Sequence, residues 1–504
     1  MTRLQVTLLL LALPIFLLAQ SVDDPFPQKK MRKDLEVFRE IRLNANSGLY
    51  KYRTEDQIDS IYQWAEARIE QSSTYLDFYN IIIRLTDFEG SLHNATSLPS
   101  KYWKTLRAEP SGYFPYPLKW IDGKWVVNFA DGSIPLGAEV ISINQVPIEE
   151  IMRDLGQYYT TDGINTTGKR IGIRTHFARY YRWQYGRQDK FEVAYRALDS
   201  DQIESDVIES VSSSSYYRSF NSRHSKPYDQ IYYSDPAEDE KYQFEQFNTS
   251  TAILTINTFD MGNATTETHR RYCSFLDSVF SQIQTNGTEN LIVDVRQNGG
   301  GTDPNDLVTY SYLTQRSFQE NTEAWISFEK IPLLKHIDFW LPKFLRPIFV
   351  GGYNKSFRKD FPKAENGRRY QDVTSPDHLV RTPNEKAFTG KVYLLISPAV
   401  GSAGSLFAAM VAGNDNTITI GEETMGGYYG HNGHTPLAYK LPKSKIEMVF
   451  FIVNLEQDVP QRANQYYNRG IIPDITVSQS IEDFMQQEDT QMKYVLELIA
   501  EEDK

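Results

Sequence analysis

The chain has 504 residues, of which 40% are hydrophobic and 13% aromatic, and its formal net charge at pH 7 is −12. At roughly 100–200 residues per domain, this length predicts several domains, each large enough to bury its own core. The acidic balance argues against nucleic acid or an anionic membrane surface as the main partner. The single cysteine, Cys273, excludes an internal disulfide and is interpreted as a core residue.

The first twenty residues, MTRLQVTLLLLALPIFLLAQ, are an apolar run that follows one arginine. This pattern is typical of a secretory signal peptide with cleavage near residues 19–20. The apolar stretch is shorter than the roughly 20 residues that a membrane span needs, so an uncleaved anchor is the less favoured interpretation. The sequence therefore predicts export to a periplasmic or extracellular location, with no stable membrane span after cleavage.

Three regions of different character follow the predicted signal peptide. Residues 31–110 have apolar side chains at helical spacing, which predicts an N-terminal helical domain. Residues 113–200 contain short alternating strands separated by Asp-Gly and Pro-Leu-Gly turns, which indicate a compact β-rich module. Residues 201–245 are rich in Ser, Asp, Glu and Tyr without periodicity, and are interpreted as a linker or insertion.

The remainder of the chain predicts an α/β domain over residues 246–485. Near-continuous apolar strands alternate there with helices, which is typical of a sheet covered on both faces. An insertion at about 317–385 carries an aromatic run and is interpreted either as a surface subdomain or as a lid or cleft wall. Residues 486–504 are predicted to form a C-terminal helix.

The most informative segment is VYLLISPAVGSAGSLFA, residues 392–408. A buried strand ends, a turn of small residues follows, and a helix begins at about Ala403. Ser402 therefore lies at a helix N-terminus, where unsatisfied N–H groups and the helix dipole favour developing negative charge. This position suits a nucleophile whose attack creates an oxyanion. An ordinary serine N-cap is the alternative.

A second segment, LIVDVRQNGGG (residues 291–301), is a buried strand that runs into three glycines. Glycine lets the backbone approach a ligand closely and present its N–H groups, so this run is a candidate source of a further oxyanion donor. A plain turn or a phosphate nest is the alternative. The Lys-Ser/Thr ending of a P-loop is missing, which disfavours nucleotide binding.

Together these segments resemble the C-terminal processing (tail-specific) protease family of serine peptidases. DVRQNGGG, GSAGSLFA, GEETMGG and RGIIPDITV occur in the family's order over residues 290–477, and PLGAEVISINQVPIEEI resembles the PDZ-like module of many members. The resemblance implies a crotonase-like α/β core and hydrolysis of peptides or unfolded proteins, with no metal or cofactor. It implies that the N–H groups of Ala403 and of Gly300, or less favourably Gly299, hold the oxyanion. The PDZ-like module would capture an extended peptide or its C-terminal carboxylate by strand addition.

The base cannot be the lysine that many bacterial members use, because that position, 25 residues after Ser402, is Gly427. The tricorn-like branch of the family uses a histidine from an upstream domain, supported by a second serine and a glutamate. This resemblance implies His93 as the general base and Ser91 as the supporting serine. In the branch pattern the serine directly precedes the histidine, whereas Leu92 intervenes here.

The sequence leaves the base, the supporting acid and the activity open to alternative interpretations. His431 and His434, in the segment GHNGH, are rival bases, or a weak metal site or a solvated loop. Glu456 is the candidate for the supporting acid, and an exposed strand-end charge is its other interpretation. The sequence thus predicts an exported serine endopeptidase. The alternatives are a catalytically inactive peptide-binding paralogue of the same fold and, more remotely, acyl-group chemistry on a crotonase-like scaffold.

Overall fold

The computed structural model of the chain describes residues 21–223, 236–339 and 346–502. The predicted signal peptide, residues 1–20, lies outside these ranges. Within them, no helix is both long enough and apolar enough to cross a bilayer.

The front of the chain is helical and ends in a short strand. Capping boxes begin two of its helices, one formed by Thr54 with Gln57 and one by Thr74 with Asp77. The elements are α1 (Gln28–Ala45), α2 (Glu55–Glu70), α3 (Tyr75–Phe88), β1 (Ala95–Ser97) and α4 (Ser100–Ala108). The loop of residues 89–94 therefore joins α3 to β1, and it carries the histidine that the sequence singles out.

A mixed sheet-and-helix region follows, in which the strand order is β2-β3-β4-β6-β7 and β5 pairs with β4. Its elements are β2 (Leu118–Ile121), β3 (Lys124–Val127), β4 (Glu139–Ile143), β5 (Val146–Pro147), α5 (Ile148–Leu155), α6 (Lys169–Tyr185), β6 (Lys190–Arg196), β7 (Ile203–Glu209) and α7 (Ser213–Asn221).

This sheet continues into the segment that the sequence suggests is a linker. Strand β7 and helix α7 both lie within residues 201–245, and β7 pairs with β6 along its full length. The sequence pattern misses the strand because Ile208 is its only buried residue. Backbone pairing at a sheet edge, and not burial of side chains, defines it.

The last part of the chain contains the other two sheets. Its elements are β8 (Tyr242–Gln246), β9 (Thr251–Ile256), α8 (Glu267–Asn286), β10 (Asn290–Asp294), α9 (Asn305–Ser311), β11 (Asn321–Ile326), α10 (Arg346–Asp360), β12 (Lys363–Glu365), β13 (Arg368–Tyr370), β14 (Lys391–Ile396), α11 (Ala403–Ala412), β15 (Thr417–Gly421), β16 (Asn432–Lys440), β17 (Glu447–Gln457), β18 (Ile475–Thr476), α12 (Ile481–Gln486) and α13 (Thr490–Glu502).

One of these sheets has the order β18-β15-β14-β10-β9-β8 and is parallel except for β8. Helices α8, α9 and α11 pack on one face and α13 packs on the other, which explains the continuous apolar strands. The other sheet is antiparallel, with the order β1-β17-β11-β13-β12 and with β16 paired to β17. The predicted insertion therefore contributes β11 to the interior of that sheet. The α/β class expected from the sequence is confirmed.

The two sheets set the position of the candidate site. Strands β10 and β14 are parallel neighbours, so the loops at their carboxyl ends meet at one edge, where open α/β sheets commonly bind ligands. One loop contains the three glycines and the other leads to Ser402. Strand β1 pairs with β17 of the antiparallel sheet, which carries the 89–94 loop to the same edge.

Candidate active site

Ser402 lies directly before helix α11, in a strained backbone conformation. Its φ of 51° and ψ of −133° belong to a region that favours glycine, and such strain in a non-glycine residue is often found at functional sites. The turn after β14 holds the side chain at the start of the helix, half-buried and accessible from the edge of the parallel sheet.

His93 approaches this serine from the other side of the site. Its Nε2 lies 3.0 Å from Oγ of Ser402, although the two residues are 309 positions apart in sequence. The imidazole packs against the rings of His431 and Phe451, with centroid distances of 4.9 and 4.4 Å. Burial lowers the pKa of His93 to about 4, partly opposed by the backbone of Asn432. The ring is therefore neutral at pH 7, and its Nε2 is able to accept a proton.

The supporting residues that the sequence suggests are not joined to His93. Nδ1 of His93 and Oγ of Ser91 are both buried, and neither has a hydrogen-bond partner among the described residues. Glu456 instead accepts a hydrogen bond from Nζ of Lys51 at 2.8 Å and another from the hydroxyl of Tyr467. The long Lys51 side chain, which is almost fully buried, thus holds this carboxylate.

The glycine loop contacts Ser402 closely enough to require glycine. A Cβ at Gly300, whose φ is +113°, would lie 2.7 Å from Cβ of Ser402. The N–H of Gly300 already donates to Oδ1 of Asn298 at 2.9 Å. By contrast, the N–H groups of Gly299 and Ala403 have no acceptor within the described ranges. The order of preference from the sequence is therefore reversed, since Gly299 offers the available donor.

Asp162 connects the two halves of the site, and the sequence gives no signal for it. One carboxylate oxygen accepts the N–H of Leu92 at 3.0 Å and the other accepts the N–H of Gly427 at 3.0 Å. Burial raises the pKa of Asp162 to about 7, although these two donors oppose the shift. The neighbouring backbone adds a bond from the N–H of Gly163 to the carbonyl of Gly90. Residues 162–163 thus hold the loop of His93 against the loop that follows Ser402.

Gly427 lies against the carbonyl of Gly430, to which a Cβ would approach within 3.1 Å, and beside the side chain of Tyr52. A Cβ at Gly427 would lie 3.5 Å from the hydroxyl of Tyr52, which donates to the carbonyl of Gly430 at 3.1 Å. Gly427, which stands where the family resemblance expects a lysine, therefore packs against the N-terminal helical region through Tyr52.

The two alternative bases occupy different surroundings. His431 is buried beside His93, and burial holds its pKa well below the ordinary value. His434 instead faces Glu320, with Nε2 to Oε1 at 3.3 Å. Burial lowers its pKa, but the hydrogen bond and charge of Glu320 outweigh that effect and raise it to about 10. His434 is therefore protonated at pH 7 and cannot accept a proton as a base. Of the three histidines, His93 is the one whose ring contacts Ser402.

Comparison with known proteins agrees with this architecture. Residues 250–477, which include both loops of the parallel sheet, match the sequence model of Peptidase family S41. This part of the chain is a peptidase family S41 domain. Members of this family are serine peptidases, so the chain is a serine-type peptidase.

Two solved structures are similar to this chain over most of its length and of theirs. Mature CPAF is 12% identical with a TM-score of 0.59, and the alignment covers 93% of this chain and 95% of that one. Mature CPAF complexed with lactacystin is 13% identical with a TM-score of 0.60, covering 93% and 98%. At these identities the likeness supports the fold alone. A search of curated protein sequences gave no match.

Proposed function

We propose that the chain is an exported endopeptidase of the Ser/His type, in which His93 activates Ser402. In the first step His93 Nε2 takes the Oγ proton as Oγ bonds to the scissile carbonyl carbon. The C–N bond then breaks, His93 returns the proton to the leaving amine, and an acyl-enzyme remains. Water, deprotonated by His93, hydrolyses this ester and frees Ser402.

The contact of 3.0 Å between Nε2 and Oγ is the observation that carries this proposal. It joins a neutral imidazole to a strained serine at a helix N-terminus, which is the arrangement that an activated nucleophile requires. The oxyanion would accept hydrogen bonds from the backbone N–H groups of Ala403 and Gly299. Both are backbone donors of fixed position, so they need no reorganisation during the reaction.

We assign residues 250–477 to a crotonase-like core and the β2–β7 sheet to a PDZ-like module that captures the substrate. Strand β7 is an open edge of that sheet, and Ile203 and Val207 on it are exposed. An extended peptide would pair with an open edge through main-chain hydrogen bonds, which favours unfolded or C-terminal segments as substrates.

Labelling with a serine-directed fluorophosphonate tests the proposal. The unmodified chain is expected to be labelled, and Ser402→Ala is expected to abolish the labelling. Ser405→Ala is the matched control, because Ser405 lies one turn along the same helix and its hydroxyl is committed to the carbonyl of Ser402. Labelling that persists in Ser402→Ala would overturn the assignment.

A peptide-binding paralogue without turnover is the second candidate. It is favoured by one observation, namely that Nδ1 of His93 meets no carboxylate among the described residues that would orient the imidazole, and only the backbone of Asn432 lies close to it. One experiment distinguishes the two candidate functions: an unfolded polypeptide is incubated with the chain and then analysed by mass spectrometry. Binding without either cleavage or fluorophosphonate labelling would select the second candidate.

A further inference from the structure

A cluster of one imidazole and several carboxylates lies beside the candidate active site, and the proposed reaction does not use it. Asp303, Glu320 and His434 each offer a ligand atom, and these atoms all lie within 4.8 Å of one another. Nε2 of His434 is 3.3 Å from Glu320, and its Nδ1 is 4.0 Å from Asp303. Asp303 follows the glycine loop by two residues, and His434 lies at a bulge in β16.

The deepest member of the cluster has an unused oxygen. Glu320 is fully buried, and its Oε2 has no hydrogen-bond partner within the described ranges. Its other oxygen faces His434. That oxygen, Oε1, also accepts from the side-chain amide of Asn321 at 3.4 Å. A buried carboxylate oxygen without a donor is costly, so Oε2 indicates a missing cationic ligand.

Asp306 gives a second, independent indication. It is fully buried beside Asp303 and Glu320, yet neither of its oxygens meets a donor at hydrogen-bond geometry in the described part of the chain. Burial, and then the charges of Asp303 and Glu320, raise the pKa of Asp306 well above its ordinary value. Three carboxyl groups thus converge on a region where the imidazole of His434 is the main source of positive charge, and two of them carry buried oxygens without a donor.

We propose that Asp303, Glu320 and His434 bind one Zn²⁺ ion, with the buried carboxyl group of Asp306 behind them. One nitrogen and two carboxylate oxygens are ligands that Zn²⁺ accepts, with a fourth position left for water. On binding, Zn²⁺ displaces the proton of His434 into solvent, so the imidazole coordinates in its neutral form. Two ligands at about 2.0 Å in tetrahedral geometry stand about 3.3 Å apart, which matches the separation of His434 and Glu320. Asp303 is partly exposed, which gives the ion a path from solvent.

The ion would have a structural role that is separate from the peptidase reaction. It would join the segment after the glycine loop to strand β16, next to His431. The carboxylates of Asp303 and Glu320 would then be held in place by coordination instead of repelling each other, and the loop that carries Gly299 would be fixed at its far end.

Isothermal titration of the chelator-treated full chain with Zn²⁺ tests this inference. The expected result is one Zn²⁺ per chain, with affinity reduced about 100-fold or more in His434→Gln, Glu320→Gln and Asp303→Asn. Zn²⁺ should also raise the Tm of the unmodified chain but not that of these variants. Three separate substitutions guard against one variant that fails to fold.

Two control variants make the outcome specific. His176→Gln removes a histidine of helix α6 that bonds to Tyr217, and it should bind Zn²⁺ like the unmodified chain. His93→Gln should also retain binding. Absence of binding by the unmodified chain, or binding that is lost in His93→Gln and kept in Glu320→Gln, would overturn the inference. The latter result would put the ion on His93 and His431. Fluorophosphonate labelling does not depend on this cluster, so either proposal can fail without the other.

Discussion

The two sides of the candidate active site are built in different ways. The serine side consists of two loops from β10 and β14, which are paired residue by residue in the parallel sheet. The histidine side is a single loop between α3 and β1, and distant parts of the chain hold it. These are the carboxylate of Asp162, the rings of His431 and Phe451, and the pairing of β1 with β17.

The two sides should differ in how well they tolerate substitutions. Ser402 and the glycine loop are positioned by backbone within one domain core, so single side-chain changes elsewhere should disturb them little. His93 is positioned by side-chain contacts across interfaces, where an error of about 1 Å can reduce the rate about 100-fold. The histidine side should therefore be the more easily broken half.

The largest expected effect comes from removing either member of the pair. Ser402→Ala and His93→Gln should each lower kcat by about 10⁴–10⁶-fold, because the nucleophile and its base act as one unit. The double variant should be no slower than the slower single variant. Steady-state cleavage of an unfolded polypeptide by the three variants measures this.

Additive losses in the double variant would contradict the pairing of Ser402 with His93. Ser405→Ala serves as the control, since it changes the same helix without touching the contact, and its kcat should stay within about threefold of the unmodified value.

The next effect in size concerns the connection between the two sides. Asp162→Asn replaces one of two acceptors with an N–H group, so Leu92 or Gly427 loses its partner in a buried position. Stability should fall by about 1–3 kcal/mol. Activity should fall by about 10–100-fold, mainly in kcat with KM little changed, because the base is displaced and the substrate groove is not.

Asp87→Asn is the matched control for this variant. Asp87 is a half-buried acid of the same interface, and it pairs with Lys169 instead of with either loop. A comparable loss of stability with kcat unchanged is expected. If Asp87→Asn lowered kcat as much as Asp162→Asn, general loosening would explain both and the positioning role of Asp162 would be wrong.

The sequence reveals the serine side more completely than the histidine side for the same physical reason. A buried strand, small residues and a helix start are local patterns, so Ser402, Ala403 and the glycines can be singled out from composition and spacing. Asp162 acts through contacts with residues 70 and 265 positions away, which no local pattern encodes. The N–H of Gly300 is engaged by Asn298, and this too depends on a loop conformation that the sequence does not specify.

The pH dependence tests the burial of His93. Its pKa is lowered from 6.5 to about 4, so in Asp162→Asn, where Asp162 no longer titrates, kcat/KM should stay level as the pH falls to 6 and decline only with an apparent pKa near 4. The stability contributed by the neutral ring is present above pH 6.5 and is lost as the pH falls from there through 4. Thermal unfolding of His93→Gln should lack this part of the pH dependence.

An acid limb of kcat/KM near pH 6.5 that persists in Asp162→Asn would show that the imidazole is solvated in the working enzyme, against the packing with His431 and Phe451. The same profile measured in Asp162→Asn separates the two groups, because Asp162 has a pKa of about 7 and its own titration disappears in that variant.

The smallest expected effect concerns Glu456, the substitute candidate for the supporting acid in the sequence analysis. Its carboxylate is committed to Lys51 and Tyr467 and not to the imidazole. Glu456→Gln should therefore change kcat less than about threefold, far below the roughly 10⁴-fold loss that follows when a triad acid is removed. A loss of 100-fold or more would mean that the side chain moves to His93 when substrate binds, and Nδ1 would then gain the carboxylate partner that it lacks among the described residues.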